Sequence, residues 1–235
     1  MLCIFINMRI SENILSQLIR ESITRVLKEG AEKPQRFSLQ ELDSITTFKG
    51  RLEYCRRMLG KSIGSGSARI CFNIGNGHIL KLAKDRKGLA QNEFEEDTSR
   101  MSSAVVEVYD VAGNYTWIVE ELCQPATEDD FEYILGIPFI TFCDLVRYQY
   151  NVYGRSSQEL KLFSINKEEA QALLEQIGSG FIHELMRLMA DYELPCGDLL
   201  RVSSYGIVNR DGGEDIVLID SGLSQEIKDM YYARR

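Results

Sequence analysis

The spacing of hydrophobic and polar positions changes character twice along the chain. Over residues 11–29, Ile14, Leu15, Leu18, Ile19, Ile23, Val26 and Leu27 recur at helical spacing, and Lys28 followed by Gly30 marks a C-terminus. After a loop with Pro34, Ser38-Leu-Gln-Glu41 has capping-box side chains. Ile45, Phe48, Leu52, Cys55 and Leu59, three and four apart, then predict a second helix that runs through Gly50. Residues 1–59 thus read as an extension of two helices, each with one apolar stripe for a core or a partner.

From Gly64 the helical period gives way to short alternating runs punctuated by glycine. Ala68–Ile74 and His78–Ala83 read as strands around Gly75-Asn76-Gly77, where Asn and Gly tolerate positive φ. Leu89–Met101 reads as a helix, and Ala104–Tyr109 and Tyr115–Leu122 as strands joined at Gly113-Asn114. Helical spacing returns in Asp129–Leu135, Phe139–Tyr150, Lys167–Gln176 and Phe181–Tyr192, the last with Phe181, Leu185, Leu188 and Met189 facing a core. Tyr205–Val208 and Asp215–Ile219 form a final hairpin around Asp211-Gly212-Gly213. Helices, a small antiparallel sheet, helices and a hairpin are the order of an α+β fold, without the β-α alternation of a doubly wound sheet.

Composition narrows the classes. With 27 Lys+Arg against 35 Asp+Glu in 235 residues, the net charge of −8 excludes a generic basic nucleic-acid binder. A hydrophobic share of 44% and only 4 Pro place the chain among globular proteins able to bury a core. The 6 cysteines show no Cys-x-x-Cys pair, and His78 and His183 are too few for zinc spacing, so free thiols in a reducing cytoplasm are expected. The apolar start Leu2–Ile6 is far shorter than the roughly 20 residues of a membrane span and lacks a basic leader, so no membrane association is expected. If Met8 is the true start, that run is an artefact; otherwise it is a short edge strand. The tail ending Arg234-Arg235 reads as a solvated end.

A few residues could carry chemistry. Gly64 and Gly66 open a hairpin where backbone N–H groups can approach phosphate, or they simply make a turn. Lys81 lies mid-strand on the face of Ile79 and Ala83, where its ammonium needs an anionic partner unless it snorkels from an edge. The following helix carries Glu93, Glu95, Glu96 and Asp97, of which Glu93 is expected to turn inward toward Lys81. Asp198 beside Gly197, and Asp220 at the end of an apolar strand before Ser221-Gly222, are caps and turn residues taken singly. Asp220 is also placed to hold Mg²⁺.

Taken in order, these motifs resemble the protein-kinase-like fold over roughly residues 59–224. Ile63-Gly-Ser-Gly-Ser-Ala-Arg-Ile-Cys-Phe72 looks like its Gly-rich loop, with Arg69 where a third glycine would stand. His78-Ile-Leu-Lys81 looks like its lysine strand, and Trp117-Ile-Val-Glu-Glu-Leu122 like the strand leading to the hinge. Cys196-Gly-Asp198-Leu199 looks like the catalytic loop, and Leu218-Ile-Asp220-Ser-Gly-Leu223 like the Asp-Phe-Gly motif. More narrowly, Gly197–Gly206 with Ile-Asp-Ser-Gly-Leu is similar to small kinase-like proteins encoded by bacteriophages. The resemblance implies a small antiparallel sheet lobe over 60–123 and a truncated helical lobe over 124–235, after the helical extension 1–59.

It also implies ATP and Mg as cofactors. Gly64, Gly66, Lys81, Glu93, Glu120 and Leu122 would bind the nucleotide, Asp198 would be the catalytic base, and Asp220 with Ser203 and Ser204 would hold the metal. On an acidic chain the phosphate contacts narrow to Lys81, the glycine backbone and Arg69. Serines stand where the family has a metal-binding Asn, and Cys196-Gly197 replaces its His-Arg pair. Only fifteen residues follow Asp220, too few for a peptide-binding platform. The leading expectation is therefore a nucleotide-binding pseudokinase with a structural or regulatory role. It would use the N-terminal helices to dock a protein partner in the cytoplasm, or in the host cytoplasm or virion if phage-encoded. An active atypical phosphotransferase acting on a small molecule or a partner protein is the second reading, and an α+β interaction protein without nucleotide the third.

Overall fold

A computed structural model describes residues 37–153, 164–178, 180–222 and 224–232. The helix expected over 11–29, the apolar start and the terminal arginines lie outside them. The single helix expected after Ser38 is two: α1 (Leu39–Ser44) and α2 (Phe48–Leu59). The break arises because hydroxyls compete with the helix ladder. Ser44 donates to the Glu41 carbonyl at 2.7 Å, and Thr47 caps α2 by accepting from the Gly50 amide at 3.1 Å. Gly50 is what permits the tight corner, since a Cβ there would lie 2.7 Å from Ile45 Cγ2.

Strands β1 (Gly64–Ser65), β2 (Arg69–Gly75), β3 (His78–Ala83), β4 (Val108–Val111) and β5 (Trp117–Glu121) form an antiparallel sheet in the order β1-β2-β3-β5-β4. The β2–β3 turn places Asn76 and Gly77 at φ 53° and 76°, as the sequence chemistry requires. Register pairs Cys71 with Lys81, Lys81 with Ile118, and Ile79 with Glu120. Because side chains alternate, Arg69, Lys81 and Glu120 share one face. Ile70, Phe72, Leu80, Leu82, Trp117 and Val119 form the other and are buried. Helix α2 contacts β2 and β3.

Helix α3 (Arg86–Met101) links β3 to β4 and begins three residues before the periodic run suggests. Asp85 caps it, accepting from the Gly88 amide at 3.1 Å. Gly88 sits against the sheet, and a Cβ there would lie 2.5 Å from the Ala68 carbonyl oxygen and 3.0 Å from Ala83 Cα. The expected strand Ala104–Tyr109 is shorter. Residues 104–106 instead run beside the last hairpin, with Leu218 donating its amide to the Ala104 carbonyl at 2.8 Å.

The remaining elements are β6 (Gln124–Pro125), α4 (Glu128–Leu135), α5 (Phe139–Tyr153), α6 (Lys167–Ile177), α7 (Gly180–Tyr192), α8 (Cys196–Leu199), a 3₁₀ turn (Val202–Ser204), β7 (Tyr205–Arg210), β8 (Gly213–Leu218) and α9 (Gln225–Tyr232). Their core surrounds Tyr205, whose ring meets Phe131, Phe139, Phe142 and Phe181 at 5.2–6.5 Å and whose hydroxyl donates to the Leu199 carbonyl at 2.7 Å. That bond satisfies the one polar atom of a fully buried ring.

Strands β6, β7 and β8 make a second antiparallel sheet, so the described chain is α+β. From Leu39 on it forms one compact unit. Among the described residues no helix is long and apolar enough to cross a membrane, and Cys55, Cys71, Cys123, Cys143 and Cys196 are free thiols.

The contact at Gly88 generates a prediction. Gly88→Ala should lower stability by about 1–3 kcal/mol in chemical denaturation. Gly66→Ala, with open space around its Cβ, should change it by less than about 0.5 kcal/mol.

Candidate functional site

A cleft of about 460 Å³ opens against the polar face of the first sheet. That is within the range of small-molecule sites. Gly64 and Gly66 line its mouth, Lys81 and Glu120 its floor, Leu122 and Cys123 one wall, and Arg69, Ser203, Ile219 and Asp220 another. Lys84 fixes the glycine turn from outside, donating to Ser65 Oγ at 2.9 Å and to the Gly66 carbonyl at 2.5 Å. Neither Gly64 nor Gly66 has positive φ or a crowded Cβ position, so the glycines there leave backbone accessible and do not relieve strain.

The floor is a buried charge cluster. Lys81 Nζ donates to both carboxylate oxygens of Glu95, at 3.1 and 3.0 Å, and to the Ile219 carbonyl at 3.0 Å. With Glu120 also 2.7 Å from Nζ, the ammonium has as many acceptors around it as its three protons can serve. Arg69 bridges the same Glu95 to a further acid, with Nη1 bonded to Glu95 and Nη2 donating to Asp220 Oδ1 at 2.8 Å. Glu95 also accepts from the Gly222 amide at 3.1 Å, and Thr98 meets Ser221 hydroxyl to hydroxyl at 3.2 Å. The Asp220-Ser221-Gly222 loop is therefore tied to α3. A Cβ on Gly222 would lie 2.9 Å from Glu95 Oε1, so this approach requires glycine.

The acid expected at Lys81 is corrected here. Glu93 is exposed on α3 and lines a separate groove with Asp97, Asp191 and Glu226, while the fully buried Glu95 faces Lys81. The reason is helix phase. Gly88 must face the sheet, and Gln91, Asn92, Glu95 and Thr98 follow it at helical spacing on the buried side; Glu93 projects elsewhere. The signal available in the sequence was Gly88, seven residues before Glu95.

Three carboxyl groups, Glu95, Glu120 and Asp220, face two cations, Arg69 and Lys81. Burial alone would raise Glu95, but Arg69 and Lys81 outweigh it and hold its carboxyl far below the ordinary range. Burial opposes the charge on Arg69 and on Lys81, yet the surrounding acids keep both above their ordinary values. Glu120 is pushed well up by burial and by the charge of Glu95. It lies 2.7 Å from Lys81 Nζ, but neither of its oxygens has a well-aligned hydrogen bond among the described residues. Lys81, 2.7 Å away, and Arg69 pull the other way.

The other candidates are less central. Asp198 lies in the short helix α8, outside the cleft lining, with Arg201 3.5 Å from its carboxylate. Burial and the charge of Asp220 raise its pKa. Leu122 lines the cleft, but its amide is spent on the Gly77 carbonyl at 2.7 Å. Ser203 is exposed at the cleft and Ser204 is buried.

These residues do not fit Mg²⁺ in this arrangement. The one carboxylate of the set, Asp220, already holds a guanidinium, and a hard dication beside a buried Arg69 meets like-charge repulsion with only serine hydroxyls added. No protein-family model matches the chain, and no curated protein matches it.

Two predictions follow from the cluster. Glu95→Gln should cost about 3–5 kcal/mol in denaturant unfolding, because it leaves buried cations short of an anion, whereas Glu93→Gln should stay within about 0.5 kcal/mol. For Glu120 the folded pKa is raised, so its contribution is complete below the unfolded value of about 4.3 and is lost as pH rises toward the folded value. Glu95 has the opposite sign, its contribution fading only as pH falls below that unfolded value. The neutral variant Glu120→Gln should therefore gain Tm relative to the parent as pH is raised from about 4 to about 8, measured by thermal melts.

Proposed function

We propose that the protein is a kinase-like pseudokinase, a nucleotide-binding module with a structural or regulatory role. The observation that carries the reading is the buried Lys81–Glu95 pair, set between the third strand and the following helix and joined to the Asp220 loop at the floor of a cleft of about 460 Å³. This arrangement is what the motif order implies for a kinase-like fold, with ATP as the ligand and the glycine turn over its phosphates.

Catalysis is a different matter. The acid that would hold metal is engaged by Arg69, and the acid that would orient a substrate hydroxyl, Asp198, lies outside the cleft lining. A protein partner, docked through the N-terminal helices, would read the nucleotide-bound state in the cytoplasm, or in the host cytoplasm or virion if the protein is phage-encoded. A second reading, an active atypical phosphotransferase, draws on the raised carboxyl of Asp198, which suits a general base.

The test is thermal stability with ATP and a labelled γ-phosphate. ATP at about ten times its Kd should contribute ~1.4 kcal/mol and raise Tm by about 3–6 °C. Cys71→Phe, which fills the cleft from a half-buried position outside the ion pairs, should abolish the rise. Phosphate release should not exceed that of buffer; release that vanishes in Asp198→Ala would favour the phosphotransferase. No shift at millimolar nucleotide would leave an α+β interaction protein.

A further inference from the structure

We infer that Arg69 is the resident cation of the cleft, standing against Asp220 where a divalent metal would otherwise sit and receiving the polyphosphate of a ligand that binds without metal. This rests on the nucleotide reading and deepens it by naming the anion contact and its metal independence.

Four observations carry it. First, Arg69 lines the cleft, and its side chain is 9% exposed while that of Asp220 is 65% exposed, so the cation is fixed and the acid reaches it from the open side. Second, the same guanidinium bridges Asp220 and Glu95, so a metal arriving at Asp220 must displace an ion pair anchored in the interior. Third, the donor inventory favours Arg69 over Lys81. Lys81, with three protons, already faces both oxygens of Glu95, the Ile219 carbonyl and, at 2.7 Å, Glu120, whereas the guanidinium has five N–H donors and gives two to the carboxylates. Fourth, guanidinium geometry matches phosphate oxygens in pairs and the group stays charged at any working pH. Without ligand, Arg69 is held between Glu95 inside and the exposed Asp220. An incoming anion can then take the guanidinium while the exposed Asp220 turns to solvent.

The experiment is calorimetric titration of the full chain with ATP in EDTA and in Mg²⁺, with inorganic triphosphate in EDTA, and with Mn²⁺ alone. ATP is expected to bind in EDTA at least as tightly as in Mg²⁺, and Mn²⁺ alone to show no saturable site. Arg69→Lys keeps the charge but loses the fork, and should weaken ATP in EDTA by about tenfold. ATP binding that requires Mg²⁺, a saturable Mn²⁺ site in the parent protein, or undiminished binding by Arg69→Lys would each overturn the assignment while leaving the nucleotide reading intact. Triphosphate binding as tight as ATP would uphold Arg69 as the anion contact and overturn the nucleotide reading. No binding of ATP in either buffer would overturn both. Should Arg69→Lys fail to fold, the comparison of EDTA with Mg²⁺ on the parent protein still decides.

Discussion

A buried charge is tolerable only when its partners are in place, and in this protein one cluster of five ionisable groups imposes that requirement on five separate segments. Arg69 comes from β2, Lys81 from β3, Glu95 from α3, Glu120 from β5 and Asp220 from the segment after β8. A slip of one residue in β3 would exchange Lys81 for Leu80 or Leu82 and put an ammonium on the apolar face. A rotation of α3 by one position would withdraw Glu95. The register of the sheet and the phase of the helix are thus coupled through electrostatics as well as through packing.

The same coupling explains which parts of the molecule could be read in the sequence. Strands β2, β3 and β5 and the last hairpin were legible because their alternation and their Asn-Gly and Asp-Gly turns are local properties, and the side of β3 that carries Lys81 follows from period two. The helices α4 to α7 were legible for the same reason, within a few residues at their ends. The break between α1 and α2 was not, because it depends on Ser44 and Thr47 turning their hydroxyls to the backbone, which an apolar stripe does not record. Helix α9 was not legible, because the burial of Ile227 is set by tertiary contacts with α3; in the tail after Ile227, Asp229, Met230 and Tyr231 are exposed, in keeping with a solvated end.

At the site, the lysine and the two aspartates were found as residues, but the acid paired with Lys81 was misplaced by two positions. Four acids crowd the middle of α3, and hydrophobic spacing there is weak. The phase comes from Gly88, whose lack of a side chain lets α3 approach the Ala68 carbonyl, a long-range contact without a hydrophobic signature. The partner of Arg69 was still less accessible, since Asp220 lies 151 residues away. What the sequence offered was only the observation that an arginine stands where a glycine would be expected.

That substitution changes the chemistry of the whole cleft. A glycine at position 69 would leave Glu95, Glu120 and Asp220 facing Lys81 alone, three carboxyl groups to one ammonium, and the excess negative charge would favour a divalent cation. With arginine there, Glu95 and Asp220 share a cation of the chain, and Gly222 and Ser221 tie the Asp220 loop to α3. The cleft is consequently organised before any ligand arrives. Metal-assisted transfer would need a carboxylate freed for the ion, and here Glu95 and Asp220 each already have a cation of the chain beside them.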